Sequence, residues 1–509
     1  MFTRRNGNFR FFHFFTGRPM NTPDWITRSV SILRSPEKAA SKKAPAPAER
    51  AQAATKSGAG AGAVRSTRER LAATLRQKEE ALSPRVLRRT LEELKAIVDP
   101  QVSEVEGGRR AMGVAGWYAH ASLDERRDMW LLMSEQFVAD AAKVKLAQTQ
   151  FAAAVGTPDE AVAEVRYRRA TVSPRRRLLQ RFSAFPEGFR FLVNLRADLL
   201  PHLKADKRLQ ALDVEMEYMF STWFDVGFLD LRRISWDSPA SLIEKLIKYE
   251  AVHDIKSWAD VKNRLDSDRR CYGFFHPRMP DEPLIFVEVA LIDDMAASIE
   301  PLLDESAAPA DLKKATTAIF YSISNTQTGL RGVSFGDSLI KRVVETLHEE
   351  FPRLKNFATL SPIPGFRSWL GKNAAHLLAQ LDEKELTLLG RAVGFEPPTA
   401  QHFLTAADNA LALSEKSAVR RVLLHCAAQY LGRELDDGKP LDPVARFHLG
   451  NGARVERINW AGDPSPKGLK QSCGLMVNYL YDLKRLDKHR ALLAQGKIPV
   501  SGAIEDLYI

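Results

Sequence analysis

The chain has 509 residues, 45% hydrophobic and 27% charged, which is enough for two or three domains with proper cores. Its formal charge of +11 is localised: residues 1–70 hold 14 Lys/Arg against Asp24, Glu37, Glu49 and Glu69, a net of +10, and the rest holds 60 against 59. A nucleic-acid-binding body would need a basic face on the fold, no run of about 18 apolar residues offers a helical membrane span, and Cys271, Cys426 and Cys473 form neither a disulfide framework nor a zinc spacing.

Residues 1–65 read as a disordered, basic, Ala/Pro-rich tail. Met1 to Met20 is rich in Arg and Phe and lacks acids, so it would also serve as a mitochondrial transit segment. A start at Met20 would remove it. The expectation is a bacterial cytoplasmic protein, with a mitochondrial address as the alternative if that segment is a transit peptide.

Residues 66–215 carry helical signals. Leu71, Leu75, Leu82, Leu87, Leu91 and Leu94 recur at helix-compatible spacings. Ser122 with Glu125 predicts a capping box, and Pro174 and Pro186 predict helix breaks. Trp117, Tyr118 and Trp130 are assigned to the core. This segment shows no chemistry and reads as a helical bundle used for packing or oligomerisation.

From 216 to 509, strands alternate with helices. Pro283 to Leu291 and Ala315 to Ser324 are apolar runs expected as buried strands, Asn356 to Leu360 is a short third, and Arg454 to Trp460 a further one. Residues of about 380–435 read as a helical insertion. The expected fold class is α plus α/β: an N-terminal all-helical bundle, then a mixed sheet domain.

The run Gln327-Thr328-Gly329-Leu330-Arg331-Gly332-Val333-Ser334-Phe335-Gly336-Asp337 lies between a predicted strand and a predicted helix over Ser338 to Phe351. Strand, glycine-containing loop and helix N-terminus together offer backbone N–H groups to a phosphate. No Gly-Lys-Ser/Thr follows, and the glycine spacing misses the dinucleotide fingerprint. It fits, one position out of register, the looser Gln/Arg-x-x-Gly-x-Gly/Ala form that acyl-CoA-binding acetyltransferase folds use for a pyrophosphate. A glycine-rich helix entry without ligand is the plain alternative.

Two further segments are candidates. Ser361-Pro362-Ile363-Pro364-Gly365 follows a predicted strand, and its prolines restrict the direction of Ser361. Phe447-His448-Leu449-Gly450-Asn451-Gly452 places His448 on a turn among small residues, open to a substrate. A Pro-turn cap and a structural histidine are the plain readings of each. His276 is a second histidine candidate, and His425 is expected to be buried.

The phrases RCYGFFHPRMPDEPLIFVEVAL, FYSISNTQTGLRGVSFGDSLIKRVVETL, LSPIPGF, FHLGNGARVERINW and QSCGLMVNYLYDL, in order from about 220 to 485, resemble the malonyl-CoA decarboxylase family. The resemblance implies a helical domain followed by an acetyltransferase-like (GNAT-like) domain. It implies conversion of malonyl-CoA to acetyl-CoA and CO2 without metal or organic cofactor. It places the catalytic serine on Ser361, the catalytic histidine on His448 and the CoA-binding segment on Arg331, Gly332, Val333, Ser334, Phe335, Gly336 and Asp337. At Ser334 some relatives carry an acidic residue. Some also end in a peroxisomal tripeptide, where this chain ends Leu507-Tyr508-Ile509. The expected partners are malonyl-CoA and further copies of the chain, as dimer or tetramer, with no nucleic acid or membrane. An acyl-CoA acyltransferase and a non-catalytic acyl-CoA-binding regulator are the competing functions.

Overall fold

The computed structural model of the chain describes residues 82–333, 335 and 339–508. The tail, and the Ser334, Gly336 and Asp337 positions of the glycine loop, lie outside the described residues.

Eight helices open the described chain: α1 Pro84–Val98, α2 Glu104–His120, α3 Leu123–Gln136, α4 Ala141–Ala154, α5 Glu160–Thr171, α6 Pro174–Ser183, α7 Gly188–Leu199 and α8 Gln210–Trp223. Their starts follow local chemistry. Ser122 caps α3 through a full capping box with Glu125, as expected, and Pro174 stands in the first turn of α6, where its missing N–H costs nothing. Trp130 is wholly buried, and its indole N–H donates to Tyr118 Oη at 3.0 Å. Trp117 only packs against the edge of that core. Helices α4 and α5 pair through the stacked rings of Phe151 and Tyr167 and bury only Ala147 and Ala163, so Leu146, Val162 and Val165 stay exposed.

The sheet domain contains β1 Asp230–Ile234, α9 Ala240–Tyr249, α10 Trp258–Arg264, β2 Arg269–His276, β3 Met279–Ile292, β4 Thr317–Asn325, α11 Leu339–Glu350, β5 Asn356–Thr359 and β6 Ser361–Pro362. After these come α12 Phe366–Leu378, α13 Glu383–Val393, α14 Ala400–Asp408, α15 Ala418–Gly432, α16 Pro443–Gly450, β7 Arg454–Asn459 and β8 Met476–Leu480. The eight strands form one sheet in the order β1-β2-β3-β4-β5-β8-β6, with β7 also on β8. Among the described strand pairs, only β4 and β5 run in parallel, because α11 carries the chain back between them. This is the helical domain followed by a mixed sheet that the sequence leads one to expect.

The β4–β5 ladder runs from Thr317↔Asn356 to Phe320↔Thr359 and closes with the Leu360 N–H on Phe320 O at 3.0 Å. Strand β4 continues to Asn325 on its β3 side. Among the described residues, no strand pairs with its other edge from Tyr321 to Asn325. A one-residue irregularity opposite Glu288 and Val289, at Tyr321, marks where the strands part. A wedge therefore opens in the sheet. The glycine loop leaves the end of β4 at one side of it, and Ser361 starts β6 at the other.

Candidate functional site

Strand β6 holds Ser361 opposite Val477, and alternation along the strand puts Thr359 and Ser361 on one face. Helix α16 holds His448. Its N-terminus is built on Asp442, whose Oδ1 accepts the Val444 and Ala445 N–H groups at 2.9 Å each, with Pro443 at the first position. Asp442 is buried, and its Oδ2 accepts the Tyr430 hydroxyl at 3.3 Å. At the other end, Gly452 has φ +88°, its N–H donates to Leu449 O, and the Ala453 N–H donates to His448 O. This Schellman arrangement explains the Asn-Gly pair. It also corrects the sequence reading: His448 stands in the last helical turn, not on an open turn, and is only 3% exposed.

Eighty-seven residues apart in sequence, Ser361 Oγ and His448 Nε2 lie 3.3 Å from each other. Ser361 Oγ donates to Thr359 Oγ1 at 2.8 Å, and Thr359 Oγ1 also accepts the Tyr479 N–H at 3.2 Å. With the serine proton directed at Thr359, the imidazole must donate from Nε2, leaving Nδ1 as the acceptor. Tyr481 Oη lies 2.7 Å from Nδ1 and supplies that proton. The Tyr479 ring stacks against the imidazole at 4.7 Å between centroids.

The set is dry. Burial pushes His448 down to about 3, because an imidazolium there would lose its hydration. Burial likewise raises the Tyr481 hydroxyl well above its ordinary value. Both groups are neutral at physiological pH. The arrangement is a neutral hydrogen-bond donor, fixed in tautomer, beside a hydroxyl at the base of the wedge.

The structure does not bring the other histidine candidates to this place. His276 is buried on β2, stacked on Phe189 at 4.9 Å, and its Nδ1 accepts the Arg278 N–H. His425 is buried on α15, with Nδ1 3.0 Å from Leu507 O. In the glycine loop, Thr328–Leu330 forms a single 3-10 turn, and Gly332 takes φ +81°, a conformation costly for any residue with a Cβ. Arg331 and Gly332 are exposed, whereas Val333 and Phe335 are buried anchors. Sequence reasoning missed Thr359, Tyr481 and Asp442. The period-two alternation Val477, Tyr479, Tyr481 along β8 and just past its end was the available signal for the tyrosines.

A family model described as the malonyl-CoA decarboxylase N-terminal domain matches residues 137–224, and one described as the malonyl-CoA decarboxylase C-terminal domain matches 227–508. The chain is 40% identical over 331 residues to the mitochondrial malonyl-CoA decarboxylase of Anser anser anser, a match spanning 62% of this chain and 65% of that protein. The Mus musculus counterpart is 41% identical over 341 residues, spanning 63% of this chain and 68% of its own. Among crystal structures, malonyl-CoA decarboxylase from Cupriavidus metallidurans is 44% identical with a TM-score of 0.69, covering 83% of this chain and 100% of its own. That from Rhodopseudomonas palustris is 40% identical with a TM-score of 0.72, covering 82% and 99%.

Proposed function

This chain belongs to the malonyl-CoA decarboxylase family, and we propose that it converts malonyl-CoA to acetyl-CoA and CO2 at Ser361 and His448. The observation that carries the proposal is the buried Ser361–His448 pair at the base of a wedge whose other side leads into the glycine loop. The unpaired edge of β4 offers backbone groups to an extended pantetheine arm, as sheet edges do to extended ligands.

Loss of CO2 leaves an electron pair that the thioester carbonyl accepts, giving an enolate. Ser361 hydrogen-bonds the malonyl carboxylate and turns it out of the thioester plane. The His448 Nε2–H donates to the developing enolate oxygen, where a fixed donor in a dry site is most effective. It then gives its proton to carbon. A thioester enolate carbon is a far stronger base than the ring nitrogen, so a neutral imidazole suffices. Tyr481 lends its proton to Nδ1 as the ring loses one; once the product has left, a solvent proton returns to Nε2 and the Nδ1 proton goes back to the tyrosine, which restores the donor. One proton is consumed for each CO2 released.

The direct test is the purified protein with malonyl-CoA, following acetyl-CoA and CO2. Consumption of acetyl-CoA dependent on an amine acceptor would instead indicate an acyltransferase, and tight binding without turnover a regulator. For the loop, the pyrophosphate rests on backbone N–H groups with Arg331 adding charge. Gly332→Asp places a β-carbon at φ +81° and a negative charge beside it. It should raise KM for malonyl-CoA by roughly tenfold with a smaller effect on kcat, and an unchanged KM would remove the loop from the binding site.

The helical domain is assigned to self-association in the same proposal. Leu146 and Val165 are exposed on α4 and α5, apolar positions that a second copy would cover. Leu146→Lys with Val165→Lys should lower the mass seen by light scattering, and an unchanged mass would exclude that surface.

A further inference from the structure

Arg196 lies in the helical domain, on α7, yet its guanidinium is buried against the glycine loop of the sheet domain and is 2% exposed. Nε donates to Asp213 Oδ1 of α8 at 2.7 Å. Nη1 donates to two loop carbonyls, Gly329 O and Arg331 O, at 2.8 Å each. The approach is close at the next contact too: a β-carbon on Gly329 would stand 1.9 Å from Val193 O of α7. Beyond the loop's exposed part, the Val226 N–H holds Phe335 O at 2.9 Å, and Arg342 at the start of α11 donates to Val226 O and Leu229 O at 2.7 and 2.6 Å. The helical domain and its linker thus grip the loop on both sides of Gly332.

The grip has a direction. A trans peptide unit points its C=O and the following N–H to opposite sides. With Arg331 O drawn onto Arg196, the Gly332 N–H faces away from the helical domain, and both Arg331 and Gly332 are exposed there. We propose that Arg196, held by Asp213, is a positioning residue that orients the loop's backbone donors for the CoA pyrophosphate, so that the helical domain is part of the substrate-binding machinery. This rests on the reading of the loop as the pyrophosphate site. A charged donor shared between two carbonyls is a strong hold, and losing it frees the Arg331–Gly332 peptide to turn.

The test compares malonyl-CoA with malonyl-pantetheine, which carries the same reacting group but no pyrophosphate. Arg196→Lys keeps the charge but loses the fork. Arg196→Met with Asp213→Leu removes both charges, so neither is left buried alone. Both variants should raise KM for malonyl-CoA about tenfold while kcat stays within about twofold, and kcat/KM for malonyl-pantetheine should not move. Should only Arg196→Lys fold, it carries the test alone. An unchanged KM, or an equal loss with malonyl-pantetheine, would overturn the clamp. A raised KM in Gly332→Asp beside an unchanged one in the Arg196 variants refutes the clamp alone, whereas no effect of Gly332→Asp refutes the reading of the loop and the clamp with it.

Discussion

His448→Ala should lower kcat for malonyl-CoA by about a hundredfold to ten-thousandfold with little change in KM, because it removes both the enolate donor and the proton. Tyr481→Phe keeps the ring's packing but takes away the hydroxyl 2.7 Å from Nδ1. The imidazole then loses its fixed tautomer, at a cost of about tenfold to a hundredfold in kcat. Ser361→Ala should also reduce kcat. Steady-state kinetics at saturating substrate measures all three, and a His448→Ala enzyme within a few-fold of wild type would refute the assignment. The pH profile adds a separate check. Burial holds His448 neutral down to about 3, so kcat/KM of the wild type should show no inflection in the ordinary imidazole range. The same shift bears on stability. The folded-state value lies below the unfolded 6.5, so the unfolded chain binds the extra proton between about 3 and 6.5, and stability falls as pH falls through that window.

Glu288→Ala is the substitution expected to damage the fold most. Glu288 and Arg264 are both fully buried, with Glu288 Oε2 2.8 Å from Arg264 Nη1. Asp260 Oδ1 and His253 O take the remaining guanidinium bonds at 2.7 and 2.8 Å. Removing the glutamate leaves the buried guanidinium with Asp260 as its one carboxylate and an unfilled donor at Nη1, and breaking a buried pair costs roughly 3–5 kcal/mol. Arg264→Met with Glu288→Leu and Asp260→Asn removes all three charges and should cost far less, because no desolvated charge is left without its partner. Urea unfolding of the two variants decides it: equal losses would show that the pair is not held by charge. Burial also pushes the Glu288 carboxyl up to about 7, against the opposing effect of Arg264. A raised folded-state value gives stability that is full below the ordinary 4.5 and is lost as pH rises through about 7. Glu288→Gln should flatten that part of the curve.

Local signals carried the secondary structure far. The capping box at Ser122, the proline starting α6 and the apolar runs of β3 and β4 all stand where short-range rules put them. His448 was placed in the wrong local setting for a specific reason. Asn-Gly is a hairpin signal and equally a helix C-cap, and the Asp442-Pro443 pair that starts α16 was not recognised as a helix start. Thr359 carried no signal of its own, since a threonine in an apolar strand reads as core, and the alternation that puts Tyr479 and Tyr481 on one face does not say what that face meets.

The sequence by itself determined the family, the succession of a helical domain and a mixed sheet, and the identity of Ser361, His448 and the glycine loop as candidates. Those rest on residue order, which short-range propensity and long ordered matches report. Only the tertiary structure decided how they are placed. The 3.3 Å approach of Ser361 to His448 spans 87 positions, and the grip of Arg196 on Arg331 O spans 135. Hydrogen bonds over such separations leave no period in the sequence. The neutral state of His448 likewise follows from what packs around it, because desolvation is a property of the surroundings and not of the residue. The glycine loop was legible as a candidate phosphate site, but the hold that a guanidinium from another domain has on its Arg331 carbonyl was not.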